Sequence, residues 1–198
     1  YRIIISQWFI VNGEAYPFGG IMWYTLQVKK GQEEYFCQMI QEKINKKSKN
    51  TLIQECFFLQ RERMKKFGGR FHKVQEIVFP PYIFVHTNQE KEVTQLFEQT
   101  PELNELLHSK QDNSYFTPLQ KEEVDFILRW GDETHLLKLS VIRVNEDKTV
   151  EIIDGSLKNY KKELEKLDLH RRTAIIQTQF LGEKQEIHLG FQIMGKDL

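Results

Sequence analysis

The 198-residue sequence has only two cysteines and five prolines, and no excess of either charge: Lys+Arg and Asp+Glu both number 28. Cys37 and Cys56 sit in apolar surroundings, with none of the spacing of a disulfide framework or a metal site, which fits a reduced cytoplasmic protein. No apolar run approaches the roughly 18 residues that a membrane span needs. The histidines at 72, 86, 108, 135, 170 and 188 show neither an H-E-x-x-H pattern nor metal spacing with the cysteines. There is no phosphate-cradling G-x-x-x-x-G-K loop, and Asp154-Gly155-Ser156 reads as a turn, not as a nucleophile elbow. Glu122 and Glu123 begin a helix and need no chemistry to explain them. The expectation is a protein that is not an enzyme and uses no cofactor or metal, without internal repeats or low-complexity tracts.

What is present is a globular composition, 40% hydrophobic and 28% charged, with its charges segregated. Between Lys29 and Lys73 twelve Lys and Arg stand against five acids, whereas between Glu90 and Glu133 eleven acids stand against four cations. A neutral chain with a basic lobe can still dock on nucleic acid, because phosphates answer to the local field. Residues 1–21, ending in Pro17-Phe18-Gly19-Gly20, read as an extension outside the fold, with Met22 as a natural start.

Trp23–Val28 alternates as a strand does. From Gln32 to about Asn45, Tyr35, Phe36, Met39, Ile40 and Ile44 form one apolar helical stripe, followed by a polar loop at Lys46, Lys47, Lys49 and Asn50. The runs Glu55–Arg63 and Arg70–Val78 flank Phe67-Gly68-Gly69, a hairpin signal because glycine takes positive φ freely. Phe79–Val85 is a rigid turn into a buried strand. Glu90–Phe97 reads as a second helix with Val93, Leu96 and Phe97 inward, Leu103, Leu106 and Leu107 as a short apolar stretch, and Pro118 as N1 of a third helix that stops at Gly131. After a connector over 131–148 the pattern changes to short strands near Val150–Ile153, Lys162–Leu167, Thr173–Phe180, Glu186–Leu189 and Phe191–Met194. The fold class expected is α+β, an antiparallel sheet with flanking helices over 22–130 followed by a small all-β barrel over 149–198.

Three stretches together resemble the NusG family of transcription elongation factors. They are Trp23-Tyr24 leading through Lys29-Lys30-Gly31, the segment Phe79-Pro80-Pro81-Tyr82-Ile83-Phe84-Val85, and the KOW-like run from Ile152-Ile153-Asp154-Gly155 through His170-Arg171-Arg172 to Phe180-Leu181-Gly182. The look is closest to LoaP-type antitermination paralogs. Pro81 stands where the family usually has glycine, which changes the turn and removes a donor. The resemblance implies an NGN domain that grips the clamp helices of RNA polymerase through an apolar pocket, for which Tyr24, Pro80, Tyr82, Phe84 and Leu106 are the candidates by position. Phe84 and Leu106 suit a core position equally well, whereas the hydroxyl of Tyr82 favours a half-wet site.

Two basic surfaces point to nucleic acid. Strand alternation puts Arg61, Arg63 and Lys65 on one face of the hairpin, suited to upstream or non-template DNA or, alternatively, to guarding a sheet edge. In the KOW-like region Lys158, Tyr160, Lys161, Lys162, His170, Arg171 and Arg172 form a basic cluster around an expected exposed Tyr160, suited to an RNA hairpin in a leader transcript. The functional expectation is a monomeric antitermination factor for one operon. A housekeeping factor whose KOW domain binds termination or ribosomal proteins, and a ribosome-associated RNA-binding protein, stay open at this point.

Overall fold

A computed structural model describes residues 8–11, 14–17, 22–45, 52–108, 114–131 and 133–196. The polar loop at Lys46, Lys47, Lys49 and Asn50 and most of the 1–21 extension lie outside them. In chain order the elements begin with β1 (Trp8–Val11), β2 (Glu14–Pro17), β3 (Met22–Gln27), α1 (Glu33–Met39), β4 (Glu55–Phe57), β5 (Gln60–Phe67), β6 (Arg70–Ile77) and β7 (Tyr82–Thr87). Then come α2 (Glu90–Glu98), α3 (Pro101–Asn104), β8 (Phe116–Pro118), α4 (Lys121–Leu128), β9 (Leu136–Leu137) and β10 (Ser140–Val144). Strands β11 (Val150–Asp154), β12 (Leu164–Asp168), β13 (Thr173–Phe180) and β14 (Glu183–Ile193) complete the α+β chain. Its contacts divide it into two units, residues 1–57 with 81–119 and residues 58–80 with 120–198.

In the first unit β1 and β2 form a two-stranded sheet of their own, and β4, β7, β3 and β8 form an antiparallel sheet in that order. Its register pairs Tyr24 with Val85 and Thr25 with Phe84. Alternation therefore sends Tyr24, Leu26, Ile83 and Val85 to one face and Trp23, Thr25, Tyr82, Phe84 and His86 to the other. Helix α1 supplies buried Phe36, Cys37 and Met39, and it runs on as a π-helical turn, Ile40–Asn45, that buries Ile40 and Ile44. Tyr35, expected in the apolar stripe, is exposed instead, since it lies at the edge of the arc centred on Phe36 and Ile40. Phe97 of α2 stacks on Phe116 of β8, and Val93 and Leu103 close the same core.

The helix expected to open at Pro118 begins at Lys121. Pro118 instead ends the edge strand β8, where a missing N–H costs little, and Gln120 with Glu123 forms the capping box that starts α4.

The second unit holds the hairpin β5–β6, with β9 parallel to β5, and a five-stranded sheet in the order β11-β10-β14-β13-β12. At the hairpin tip Gly68 and Gly69 take φ of 58° and 78°, the double left-handed turn that matches strand twist. The five-stranded order is compatible with a KOW barrel, but two expectations change. The connector at 131–148 contains a strand, β10, which pairs in parallel with Phe191–Ile193 at the far end of the chain. The two C-terminal strands expected are one continuous strand, β14, because Gly190 stays in the ladder opposite Thr173.

Along β14, Ile187, Leu189, Phe191 and Ile193 are buried with Ile142, Ala174 and Ile176, while Glu186, His188, Gly190 and Gln192 take the other face. That second face passes over the hairpin. A Cβ on Gly190 would stand 2.7 Å from Arg63 Cα and from the Glu62 carbonyl oxygen, so only glycine lets the two strands approach this closely. Gly190→Ala is expected to destabilise the protein by about 1–3 kcal/mol, because backbone must move on both sides. Urea unfolding checks this, and an unchanged midpoint would contradict the close approach.

Candidate polymerase and nucleic-acid interfaces

The five residues expected to form one apolar pocket do not share one surface. Tyr24 is buried, with its ring edge-on to Phe116. Its hydroxyl bonds the Glu90 carboxylate, and burial, with help from Glu90, pushes its pKa well above the tyrosine norm. Phe84 is buried on the opposite face of the sheet, against Phe57. Pro80 is exposed, but it belongs to the second unit. Tyr82 and Leu106 are half-buried. The backbone brings these two to one end of the sheet: Val28 N donates to Pro81 O at 3.0 Å and Lys29 N to Leu106 O at 2.8 Å.

In the hairpin, Arg61, Arg63 and Lys65 share a face as alternation requires, and all three converge on one carboxylate. Glu76 accepts Arg61 at 3.4 Å, Arg63 at 3.3 Å and Lys65 at 2.5 Å. The side chains of Arg61 and Arg63 are only 14% and 21% exposed, whereas Lys65 is half-exposed. Burial would raise the Glu76 pKa, yet Lys65, Arg63 and Arg61 hold it below the usual carboxylate range. Burial, then Arg63, lowers that of Arg61. His188 on β14 is lowered first by burial and then by Arg63 and Arg61, with Glu186 opposing. Glu62, on the other face, accepts Lys73 at 2.9 Å and the Leu139 N–H at 3.0 Å. Neither Glu76 nor Glu62 was singled out from the sequence, although both are the acids of an otherwise basic hairpin.

Beyond Lys65 the tip is open. Phe67 is 53% exposed and stacks on His72, with centroids 3.8 Å apart and planes 8° from parallel. Arg70 is exposed beside them, and Lys66 lies over the Phe71 ring at 5.9 Å.

The KOW-like cluster also divides. Tyr160, expected to be exposed, is fully buried. It sits between Phe126 at 5.5 Å and Trp130 at 5.8 Å, beneath the Arg129 guanidinium at 5.3 Å. The cause is α4 and the turn that ends it, whose Phe126 and Trp130 offer an apolar cleft. Arg129 fastens that helix to the Asn159 carbonyl at 3.2 Å and to Glu163 at 2.7 Å. Lys158, Lys161 and Lys162 are exposed around the buried ring, with Lys158 3.6 Å from Asp154. They precede β12, whereas His170, Arg171 and Arg172 follow it. A strand of five residues, roughly 16 Å long, thus separates the two groups. His170 and Arg171 are exposed. Arg172 has φ of 53° and is half-buried over the Phe71 ring at 5.0 Å, bonding the Leu169 carbonyl. No cluster of His, Cys, Asp and Glu suited to a metal occurs among the described residues, and none of their helices is long and apolar enough to cross a membrane.

Comparison with known proteins adds an independent line. A family model described as transcription termination factor NusG matches residues 22–128, just over half of the chain. The transcription termination/antitermination protein NusG of Halalkalibacterium halodurans is 22% identical over 170 residues, covering 85% of this chain and 94% of that one. The protein of the same name from Bacillus subtilis is 22% identical over 175 residues, covering 88% and 97%. Among solved structures, one titled "Domain interaction in Thermotoga maritima NusG" aligns with a TM-score of 0.48 at 15% identity, over 87% of this chain and 94% of that chain.

Proposed function

Because the chain belongs to the NusG family of transcription termination factors, we propose that it is an elongation and antitermination factor that binds the RNA polymerase clamp helices through residues 22–130 and a leader RNA hairpin through residues 149–198. The observation that carries the polymerase half is that the backbone brings Tyr82 and Leu106, each half-buried, to one end of the first unit's sheet, beside the end of β3. Half-buried aromatic and aliphatic side chains at one sheet end are what an amphipathic partner helix can cover with little ordering of the surface. Tyr24 and Phe84 support that surface from within, as core, and Pro80 lies next in sequence to the turn that enters β7. Isolated clamp-helix fragment should bind the full chain, and Tyr82→Ala should weaken that binding by about 1–3 kcal/mol, measured calorimetrically. A folded chain with no detectable binding at roughly tens of micromolar would count against the assignment.

For nucleic acid, the exposed cations support two separate contacts. On the hairpin, Lys66 and Arg70, beside the half-exposed Lys65 that Glu76 also holds, suit upstream or non-template DNA, while Arg61 and Arg63 are drawn in to Glu76. On the KOW-like sheet, Lys158, Lys161 and Lys162 at one end of β12 and His170 and Arg171 at the other are spaced to meet phosphates across a groove of an RNA duplex; Arg172 and Tyr160 hold the turns in place. Gel shifts of the full chain with the leader RNA of the operon beside its gene test this, with a scrambled hairpin as control. Binding should weaken steeply with salt, and Arg171→Ala should cost about 1–3 kcal/mol. Equal affinity for both RNAs would reduce the surface to nonspecific charge, and recovery of ribosomal particles in place of polymerase in a pull-down would favour the ribosome-associated reading.

A further inference from the structure

The hairpin tip carries a group of side chains that ion pairing leaves unexplained. In the β5–β6 register Lys65 faces His72 and Phe67 faces Arg70, so Lys65, Phe67, Arg70 and His72 all lie on one face. The two rings are parallel and 3.8 Å apart, and Phe67 remains half-exposed at the last position before the turn. Nothing lies within 4 Å of where a Cβ would stand on Gly68 or Gly69, so the turn projects into open space. A half-exposed phenylalanine stacked on an exposed histidine still leaves ring surface in water, which a third flat ring can cover by extending the stack. The charge around it selects the occupant. The hairpin from Gln60 to Ile77 holds six Lys and Arg and only two acids, and both acids are engaged at its base, Glu76 by Arg61, Arg63 and Lys65 and Glu62 by Lys73. Arg70 makes no ion pair among the described residues, and Lys66 extends over Phe71 on the opposite face.

We propose that the tip is a stacking site for an unpaired nucleobase: the base lies on Phe67, which His72 supports from behind, and a flanking phosphate meets Arg70. Because every base has a π-face, such a site tolerates sequence and distinguishes an unstacked strand from an intact duplex, whose bases are already covered. It rests on the reading that the hairpin approaches nucleic acid, and it adds what that reading lacks, a preference for strand over duplex and the residue that confers it.

The test uses the full chain and a short oligonucleotide carrying one 2-aminopurine, prepared as single-stranded DNA, as single-stranded RNA and as a blunt DNA duplex, titrated at several salt concentrations. Stacking quenches 2-aminopurine, so the wild-type chain should quench the single strands and bind them more tightly than the duplex. The DNA and RNA arms show which strand is preferred. Phe67→Ala should remove the quench and lower single-strand affinity roughly tenfold or more, with the salt slope unchanged. Phe67→Trp should restore both, and Arg70→Gln should keep the quench while lowering the slope of log K against log salt by about 0.7. Salt-dependent binding that is indifferent to Phe67→Ala, or a duplex bound as tightly as a single strand, would overturn the stacking site and leave the hairpin's charge reading intact. No salt-dependent binding to any arm would overturn both.

Discussion

The second unit depends on one close approach, the passage of β14 over β5 at Gly190. Two backbones within van der Waals reach leave no room for a side chain between them, and the largely buried Arg61 and Arg63 side chains lie in a partly dry layer that acts on His188. Cations in such a layer need an anion, because their lost hydration is not otherwise recovered. Glu76, directly opposite Arg61 in the β5–β6 register, is that anion. Glu62 does related work on the other face, tying the chain just before β10 to the hairpin through the Leu139 N–H.

From this constraint follows a division of the basic hairpin into a base that is used internally and a tip that is available. A similar division holds in the KOW-like sheet. Tyr160 is taken into the cleft of Phe126 and Trp130, and Arg129 closes over it, so the surrounding lysines are displayed on a turn whose own aromatic is a fastening. Glu123 both caps α4 and accepts the Leu181 N–H, which joins the helix to the β13–β14 turn, while Phe79 stacks on Phe180 at 4.2 Å. The same few contacts that hold the unit together decide which charges face solvent.

Local pattern carried much of this fold in the sequence. The Gly68-Gly69 turn, strand β7 and strand β13 were readable because turn chemistry and side-chain alternation are properties of neighbours in the chain. Strand β10 was not, since Ser140–Val144 lies between its neighbour β11 and Phe191–Ile193, some fifty residues away, and the second pairing has no local signal. Pro118 misled because proline suits both the first turn of a helix and an edge strand, and only the Gln120–Glu123 capping box separates the two. At the candidate sites, residue type indicated charge correctly but not exposure. Nothing near Arg61 says that β14 will cover it, and nothing near Tyr160 says that α4 will. Conversely, Phe67 and His72 were passed over because an aromatic beside a turn usually packs inward, and only the projecting geometry shows that this one does not.

The central claim is that the hairpin's base cations are structural and its tip cations meet nucleic acid. The most direct measurement is the salt dependence of single-strand binding for two variants of the full chain, Arg61→Gln with Arg63→Gln at the base and Arg70→Gln at the tip. Each phosphate contact on a single strand contributes about 0.7 to the slope of log K against log salt. The account predicts that the tip variant lowers the slope by about 0.7 with stability intact, and that the base pair leaves the slope unchanged while lowering the urea midpoint. A reduced slope in the base pair with none in the tip variant would contradict it.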